Sequence, residues 1–106
     1  MKLIYVCSPC RGNPPYSRGK TDRNIKKAEN FCRDVIREGH IPFAPHYLYR
    51  DLFDESKPTQ RASAVELGLR HLRMCDEVWV FSMIISEGMA AEIKLAKELG
   101  IPVVNK

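Results

Sequence analysis

Four short runs of apolar and β-branched residues recur along the chain, each bounded by Gly, Pro or polar residues. Such runs are typical of buried strands of about four to eight residues. We predict strands at Leu3–Cys7, at the HIPFAP segment of residues 40–45, at the DEVWVFS segment of residues 76–82, and at the IPVV segment of residues 101–104.

Between these runs, apolar residues recur at the spacing of three and four that is typical of amphipathic helices. The first helical pattern ends near residue 39, and the second spans about residues 59–75. The third begins at a capping Ser86 and ends at Leu99. The polar segment of residues 45–58 is predicted to be a loop.

Alternating strands and helices indicate an α/β fold, here a small three-layer, doubly wound, flavodoxin- or Rossmann-like fold with a four-stranded parallel sheet. We predict the strand order 2-1-3-4 and a single domain over residues 1–106. In that order the winding reverses between the first and third strands, and open α/β sheets bind ligands beyond the carboxyl ends of the strands at such a point. The segments of residues 8–20 and 82–86 are therefore expected to build the site.

The composition excludes several classes of protein. Hydrophobic residues make up 44% of the chain and charged residues 28%, which is ordinary for a globular domain. No segment approaches the ~20 apolar residues of a membrane helix, and the first residues lack the apolar region of a secretory signal. We expect a cytoplasmic protein with no membrane partner.

The net charge of +4 comes from an excess of Lys and Arg in the first half of the chain. No run reaches the five or six like charges that are typical of a nucleic-acid-binding arm, so we expect no nucleic-acid partner. A phosphate group on a small ligand could use the same excess through Arg11, Arg18 and Lys20.

Cys7 and Cys10 have the Cys-x-x-Cys spacing of a thioredoxin-like redox centre, which requires a helix N-terminus beside the first thiol. Here about ten loop residues separate them from the next helix, so we interpret them as a strand-end and a loop residue. The remaining Cys and His residues lack the ligand spacing of a zinc site, and we expect no metal and no cofactor. Ser8, Arg11 and Gly12 in the same loop suit an anion or a sugar.

One acidic residue of the third helix lies on the apolar face. At about 100° per residue, Glu92 falls within the arc that contains Met89, Ile93 and Ala96. Burying a carboxylate without a partner costs several kcal/mol. Glu92 is therefore either a structural group paired with a cation or backbone amides, or a functional carboxylate that faces the ligand crevice.

Two further segments carry candidate binding residues. Ser86 can cap the third helix, whose first amides can also bind an anion, and Gly88 leaves room for a ligand against the backbone. After the second strand, His46, Tyr47 and Tyr49 could contact a nucleobase or could pack beneath their own loop.

The segments IYVCSPCRG, HIPFAPHYLY, MCDEVWVF and SEGMAAEIKLAKELGIPVV together resemble the nucleoside 2-deoxyribosyltransferase-like superfamily over nearly the whole chain. The likeness is greatest to short bacterial and phage members, related to deoxynucleoside 5′-monophosphate N-glycosidases. The resemblance implies that Glu92 is a nucleophile with Tyr5 beside it. It also implies an Arg-Gly phosphate loop at residues 11–12 and a phosphate-holding turn at Ser86 and Gly88.

The reaction that the resemblance implies is cleavage of an N-glycosidic bond, with a covalent intermediate between sugar and carboxylate. The acid that serves the leaving base in active relatives falls on Gly68 here and is therefore absent. Glu66 is expected on the polar face of its helix, and His71 at the edge of the apolar face. Because the chain ends at Lys106, where the transferases continue, we expect hydrolysis rather than transfer to a second base.

Two functions follow from these residues. The first is an N-glycosidase that cleaves deoxynucleosides or their 5′-monophosphates through Glu92. The second is a non-catalytic nucleotide-binding or sensing module with the same pocket, which the missing acid at Gly68 favours. In both cases the ligand is a small nucleoside or nucleotide, and the resemblance implies a homo-oligomer, a dimer or larger, with the second helix as a candidate contact surface.

Overall fold

The strands and the three longer helices form where the apolar patterns predict them. The computed structural model describes residues 1–49 and 51–106. In chain order its elements are β1 (Leu3–Cys7), α1 (Arg18–Arg37), β2 (Ile41–Phe43), α2 (Pro45–Leu48), α3 (Pro58–Leu72), β3 (Glu77–Val80), α4 (Glu87–Glu98) and β4 (Val103–Asn105).

The four strands form one parallel sheet in the order β2-β1-β3-β4, which confirms the predicted α/β fold and strand order. β1 is a central strand, in which Tyr5 is in register with Phe43 of β2 and Val78 of β3. The carboxyl ends of β1 and β3 are also adjacent, because Cys7 is in register with Val80. The winding reverses at this position, so the loops that follow the two strands diverge and leave a crevice.

Alternate residues of the sheet contribute to two cores on its opposite faces, since successive side chains of a strand point in opposite directions. The core on the side of α3 and α4 contains Tyr5, Cys7, Leu72, Cys75, Val78, Val80, Met89 and Ala96. The core on the side of α1 contains Ile4, Val6, Val35, Ala44 and Trp79. Because Tyr5 belongs to the first of these, its hydroxyl is on the side of the helix that carries Glu92.

Capping residues fix where the helices that flank the crevice begin. The Ser86 hydroxyl accepts a hydrogen bond from the Met89 amide, so α4 begins where the sequence predicts it. Ser17 caps α1 in the same way through the Lys20 amide, so α1 begins within the segment predicted to be a loop. Lys20 consequently lies in a helical turn, where its ammonium group donates to the Asn13 carbonyl.

The short helix α2 also replaces part of the predicted loop of residues 45–58. Pro45 occupies its first position, where a fixed φ favours a helix and the missing N–H costs nothing. A helix of four residues is too short to show a periodic pattern, which is why the sequence did not reveal it. No helix within the described residues is long and apolar enough to cross a membrane.

Candidate active site

A cavity of about 400 Å³ lies beyond the carboxyl ends of β1 and β3, between the 8–16 segment, α2, α3 and the first turns of α4. This volume is within the usual range for small-molecule sites. Nine of the candidate residues named from the sequence line the cavity: Tyr5, Ser8, Arg11, Gly12, His46, Tyr49, Ser86, Gly88 and Glu92. The fold thus brings them to one place, although their roles in binding or catalysis stay predictions.

Glu92 projects from the second turn of α4 toward the sheet. The Tyr5 hydroxyl donates a hydrogen bond to Glu92 Oε2, and the Cys7 thiol lies 3.5 Å from Glu92 Oε1. Both partners belong to β1 and both are fully buried. The carboxyl group is therefore hydrogen-bonded to the central strand, and the exposed part of Glu92 faces the cavity.

Burial raises the pKa of Glu92 to about 7, although the hydrogen bonds from Tyr5 and Cys7 and the charge of Arg61 act in the opposite direction. Near neutral pH the group is therefore divided between acid and carboxylate. Burial, and then the charge of Glu92, raises the pKa of Tyr5 well above its ordinary value, so Tyr5 remains a hydrogen-bond donor. A carboxyl group whose pKa is shifted toward neutrality inside a cavity is a frequent feature of catalytic sites.

His46 of α2 contributes a neutral imidazole to the cavity wall. Its Nε2 atom lies 3.1 Å from Ser8 Oγ, so the two side chains form a hydrogen bond whose direction depends on the tautomer. Burial, assisted by the charge of Arg61, lowers the pKa of His46 to about 4. At neutral pH His46 is therefore available for hydrogen bonding to a ligand but not as a cation.

Arg11 is held at the cavity mouth by an aromatic ring. Its guanidinium carbon lies 4.2 Å from the ring centroid of Tyr16, which is cation–π geometry. Arg11 Nε is buried, and no group within residues 1–49 and 51–106 accepts a hydrogen bond from it. Gly12 follows with a φ of 72°, a left-handed backbone conformation that favours glycine.

The sequence analysis missed the contribution of α3. Arg61 donates from Nη1 to a carboxylate oxygen of Glu55, and the two form an ion pair that lines the cavity. Arg61 Nη2 also lies 3.7 Å from the position that a Cβ of Gly88 would occupy, so the guanidinium approaches the first turn of α4. The remaining α3 residues of the lining are Ala64, Val65, Gly68 and Leu69. Their spacing from Arg61 is helical, and this pattern was the available signal.

Other residues expected near the site lie elsewhere. Arg18 and Lys20 belong to the first turn of α1 and do not line the cavity, and neither does Tyr47. Of the segment 82–86, Ser86 alone contributes to the lining. The predicted boundaries of the two site-forming segments were therefore too wide.

Gly68, the position at which the acid is missing, is buried and faces the cavity. A Cβ at this position would lie 3.5 Å from the Tyr5 hydroxyl oxygen. Glu66 forms an exposed ion pair with Arg70 instead of facing the cavity. His71 does not line the cavity either; its Nε2 forms a hydrogen bond with the hydroxyl of Tyr49, which does.

The cysteines near the cavity are poorly suited to thiolate chemistry. Burial raises the pKa of Cys10 to about 12 and raises the pKa of Cys7 still further, so both are protonated near neutral pH. No disulfide joins the four cysteines, all of which the structure describes. The described residues also contain no cluster of three or more His, Cys, Asp or Glu side chains that could hold a metal ion.

The architecture and the cavity define a small, doubly wound α/β protein with a site at the switch point of its parallel sheet. Among solved structures, the chain is similar to the 2-deoxyribosyltransferase from the psychrotolerant bacterium Bacillus psychrosaccharolyticus, with a TM-score of 0.66. The sequences are 23% identical, and the match covers 97% of this chain and 70% of that chain. This likeness confirms the fold that the sequence resemblance implied.

The chain itself belongs to the family described as Domain of unknown function (DUF7768), which matches residues 2–106. No curated protein matches the sequence. A closer kinship with short bacterial and phage members of the superfamily stays a prediction.

Proposed function

We propose that this protein is an N-glycosidase that cleaves the bond between base and sugar in deoxynucleosides or deoxynucleoside 5′-monophosphates. The observation that carries the proposal is the position of Glu92. Its carboxyl group is hydrogen-bonded to Tyr5 and lines, on the sheet side, the cavity at the switch point. The fold shared with a 2-deoxyribosyltransferase agrees with this chemistry.

In the proposed reaction, ionised Glu92 is the nucleophile. Oε1 forms a bond to the anomeric carbon as the bond from that carbon to the base nitrogen breaks, and the electron pair leaves with the base. The base takes up a proton from solvent. Water then attacks the anomeric carbon, the bond from that carbon to Oε1 breaks, and the proton lost by the water returns to solvent, which releases the sugar and restores the carboxylate. Tyr5 holds Oε2 and so orients the group, while the thiol of Cys7 leaves Oε1 only weakly bonded.

Substrate binding is assigned to the polar groups around Glu92. Arg11 and Ser86, with space beside Gly88, are proposed to hold the 5′-phosphate, because a guanidinium and the amides of a helix N-terminus both favour phosphate oxygens. Ser8, Gly12 and His46 complete the wall that faces the sugar and base. His46 is neutral and can form hydrogen bonds to either.

A second candidate function is a non-catalytic nucleotide-binding or sensing module. The observation that favours it is Gly68, which brings no acid to the region beside Tyr5. Without such a group the leaving base must take its proton from water or from a less direct donor, which slows cleavage.

Incubation with each deoxynucleoside and its 5′-monophosphate tests the proposal, with chromatographic detection of free base. Release by the wild type that is lost in both Glu92→Ala and Glu92→Gln is the expected result. Glu66→Gln, at an exposed α3 position, is the matched control and should keep full activity. Binding of a nucleotide without base release, seen as a raised melting temperature, would favour the binding module.

We also propose that the protein forms a homo-oligomer. Val65 of α3 lines the cavity and is still 39% exposed, and Leu67 on the same helix is 36% exposed. Leu67 is about 200° around the helix from Val65, so an oligomer formed through the outer side of α3 would cover Leu67. Sedimentation velocity of the wild type and of Leu67→Glu tests it, with dissociation of the variant as the expected outcome.

A further inference from the structure

The ion pair between Glu55 and Arg61 has no role in the reaction proposed above, although both side chains line the cavity. Their side chains are 24% and 29% exposed, so the pair is shielded from solvent more than an ordinary surface pair. The Glu66–Arg70 pair on the outer side of α3 is 64% and 67% exposed. Partial desolvation strengthens the attraction between the two charges. A guanidinium in this environment therefore favours an anionic binding partner.

Arg61 is directed at the part of the site where an anionic substituent is expected. Its Nη2 atom is close to Gly88 in the first turn of α4, next to the Ser86 cap. Arg61 lines the same cavity as Glu92 and His46; its charge opposes the burial that raises the pKa of Glu92 and adds to the burial that lowers the pKa of His46. Arg61 therefore faces the ligand volume as well as Glu55.

The segment that contains Glu55 has other connections to α3. The Asp54 carboxylate accepts hydrogen bonds from the amide and hydroxyl of Ser56, and the Asp54 amide donates to Gln60 Oε1 at 2.7 Å. These bonds connect the segment to the first turn of α3 without the Glu55 carboxylate. The Glu55 carboxylate occupies Nη1 of the Arg61 guanidinium, a donor that a phosphate oxygen could also use.

We propose that Arg61 is a second cationic ligand for a phosphate monoester on the nucleoside, and that the Glu55 carboxylate holds this guanidinium until the phosphate displaces it. The inference rests on the proposed function, because it assumes a nucleoside-like ligand in the cavity. The exchange makes recognition selective: a phosphate dianion competes successfully with Glu55, whereas the uncharged 5′-hydroxyl of a nucleoside does not.

Calorimetric titration of the full chain with a deoxynucleoside, its 5′-monophosphate and inorganic phosphate tests the exchange. Glu55→Gln removes the competing charge, so the affinity for the monophosphate should rise about tenfold while that for the nucleoside changes by less than about twofold. Arg61→Gln should lower the affinity for the monophosphate about tenfold or more. Glu66→Gln and Arg70→Gln, the exposed pair of the same helix, should leave all three affinities unchanged.

The opposite signs of the two variants separate a ligand-exchange role from a structural one. A Glu55→Gln variant that binds the monophosphate no better than the wild type, or that changes nucleoside and monophosphate affinities alike, would overturn the exchange. Failure of the proposed cleavage has a different signature, in which no free base is released, and failure of the nucleoside-like ligand itself is seen when neither nucleoside nor monophosphate binds the wild type. In that case the response of the two variants to inorganic phosphate still decides whether Arg61 is an anion site controlled by Glu55.

Discussion

Tyr5 on the first strand donates a hydrogen bond to Glu92 on the last helix, across 87 residues of sequence. The pair joins the central strand to the helix that covers it, and it does so at the wall of the cavity. One carboxyl group is thereby fixed in orientation by a group that remains protonated.

The hydroxyl of Tyr5 should control the ionisation of Glu92. Tyr5→Phe removes a bond that favours the carboxylate, so the pKa of Glu92 should move further above its present value of about 7. The low-pH limb of kcat/KM should shift to higher pH, with a loss of about tenfold at pH 6.5. Tyr47→Phe, which alters an exposed ring outside the cavity lining, is the control. An unchanged pH profile in Tyr5→Phe would show that the Tyr5 hydroxyl does not control the ionisation of Glu92.

Glu92 should destabilise the fold at neutral and alkaline pH. Its folded-state pKa of about 7 lies above the ordinary 4.5, so the folded chain binds more protons than the unfolded chain between these values. Stability therefore falls as the pH rises through this window, by about 3 kcal/mol in total. Glu92→Gln should raise the melting temperature by roughly 10 °C at pH 8.5 and by little at pH 4.5. A gain of equal size at both pH values would contradict this origin of the effect.

His46 should have the opposite pH dependence. Its folded-state pKa of about 4 is below the ordinary 6.5, so stability is complete above about pH 6.5 and is lost as the pH falls toward 4. His46→Gln cannot take up this proton, so its melting temperature should improve relative to the wild type between pH 6.5 and 4.5. Thermal melts across that range, with an NMR titration of the His46 ring, provide the measurement. A ring that titrates near 6.5 in the folded protein would exclude the expected burial effect.

The fold and the central carboxylate were predictable because each depends on a local pattern. Uninterrupted apolar runs identify the strands, their alternation with helices indicates a parallel sheet, and the helical period places Glu92 on the apolar face. These signals are contained within a few turns of the chain.

Arg61 was not predictable in the same way. From sequence, Arg61 and Arg70 are two arginines of one amphipathic helix, and each has an acidic residue nearby. The helical period places Arg61 on the face of Val65 and Leu69 and Arg70 on the opposite face. Tertiary packing adds what the sequence does not show: Arg61 faces a cavity and pairs with Glu55 outside the helix, whereas Arg70 pairs with Glu66 within it. The charge of a residue is encoded locally, but the surface that it faces is decided by the elements packed around it.

Arg11 should discriminate between nucleotides and nucleosides. Arg11→Ala removes a guanidinium whose buried Nε has no acceptor within the described part of the chain. We expect the affinity for deoxynucleoside 5′-monophosphates to fall about tenfold or more and that for nucleosides by less than about twofold. Arg18→Ala, an exposed arginine outside the cavity lining, is the matched control for the loss of one positive charge. Equal losses of affinity for nucleosides and monophosphates would show that Arg11 does not bind the phosphate group.

Gly68 offers a direct test of whether proton donation limits cleavage. A Cβ here would meet Tyr5 Oη and Pro45 Cβ at 3.5 Å, which is ordinary van der Waals contact, so a small side chain can be accommodated. Gly68→Asp places a carboxyl group beside the Tyr5–Glu92 pair, where its protonated form can donate to the leaving base. Base release from ordinary deoxynucleosides should rise about 100-fold, whereas the isosteric Gly68→Asn should change it by less than about twofold.

A comparison of two leaving groups tests whether a faster base release in Gly68→Asp comes from acid catalysis. An N7-methylated purine already carries a positive charge and departs without an added proton, so its release should be the same in Gly68→Asp and in the wild type. Acceleration of both substrates to the same extent would indicate better binding rather than acid catalysis. A loss of activity on both substrates would show that the leaving base does not lie beside α3. A carboxyl group at residue 68 would then act only by repelling the Glu92 carboxylate, which raises the pKa of Glu92.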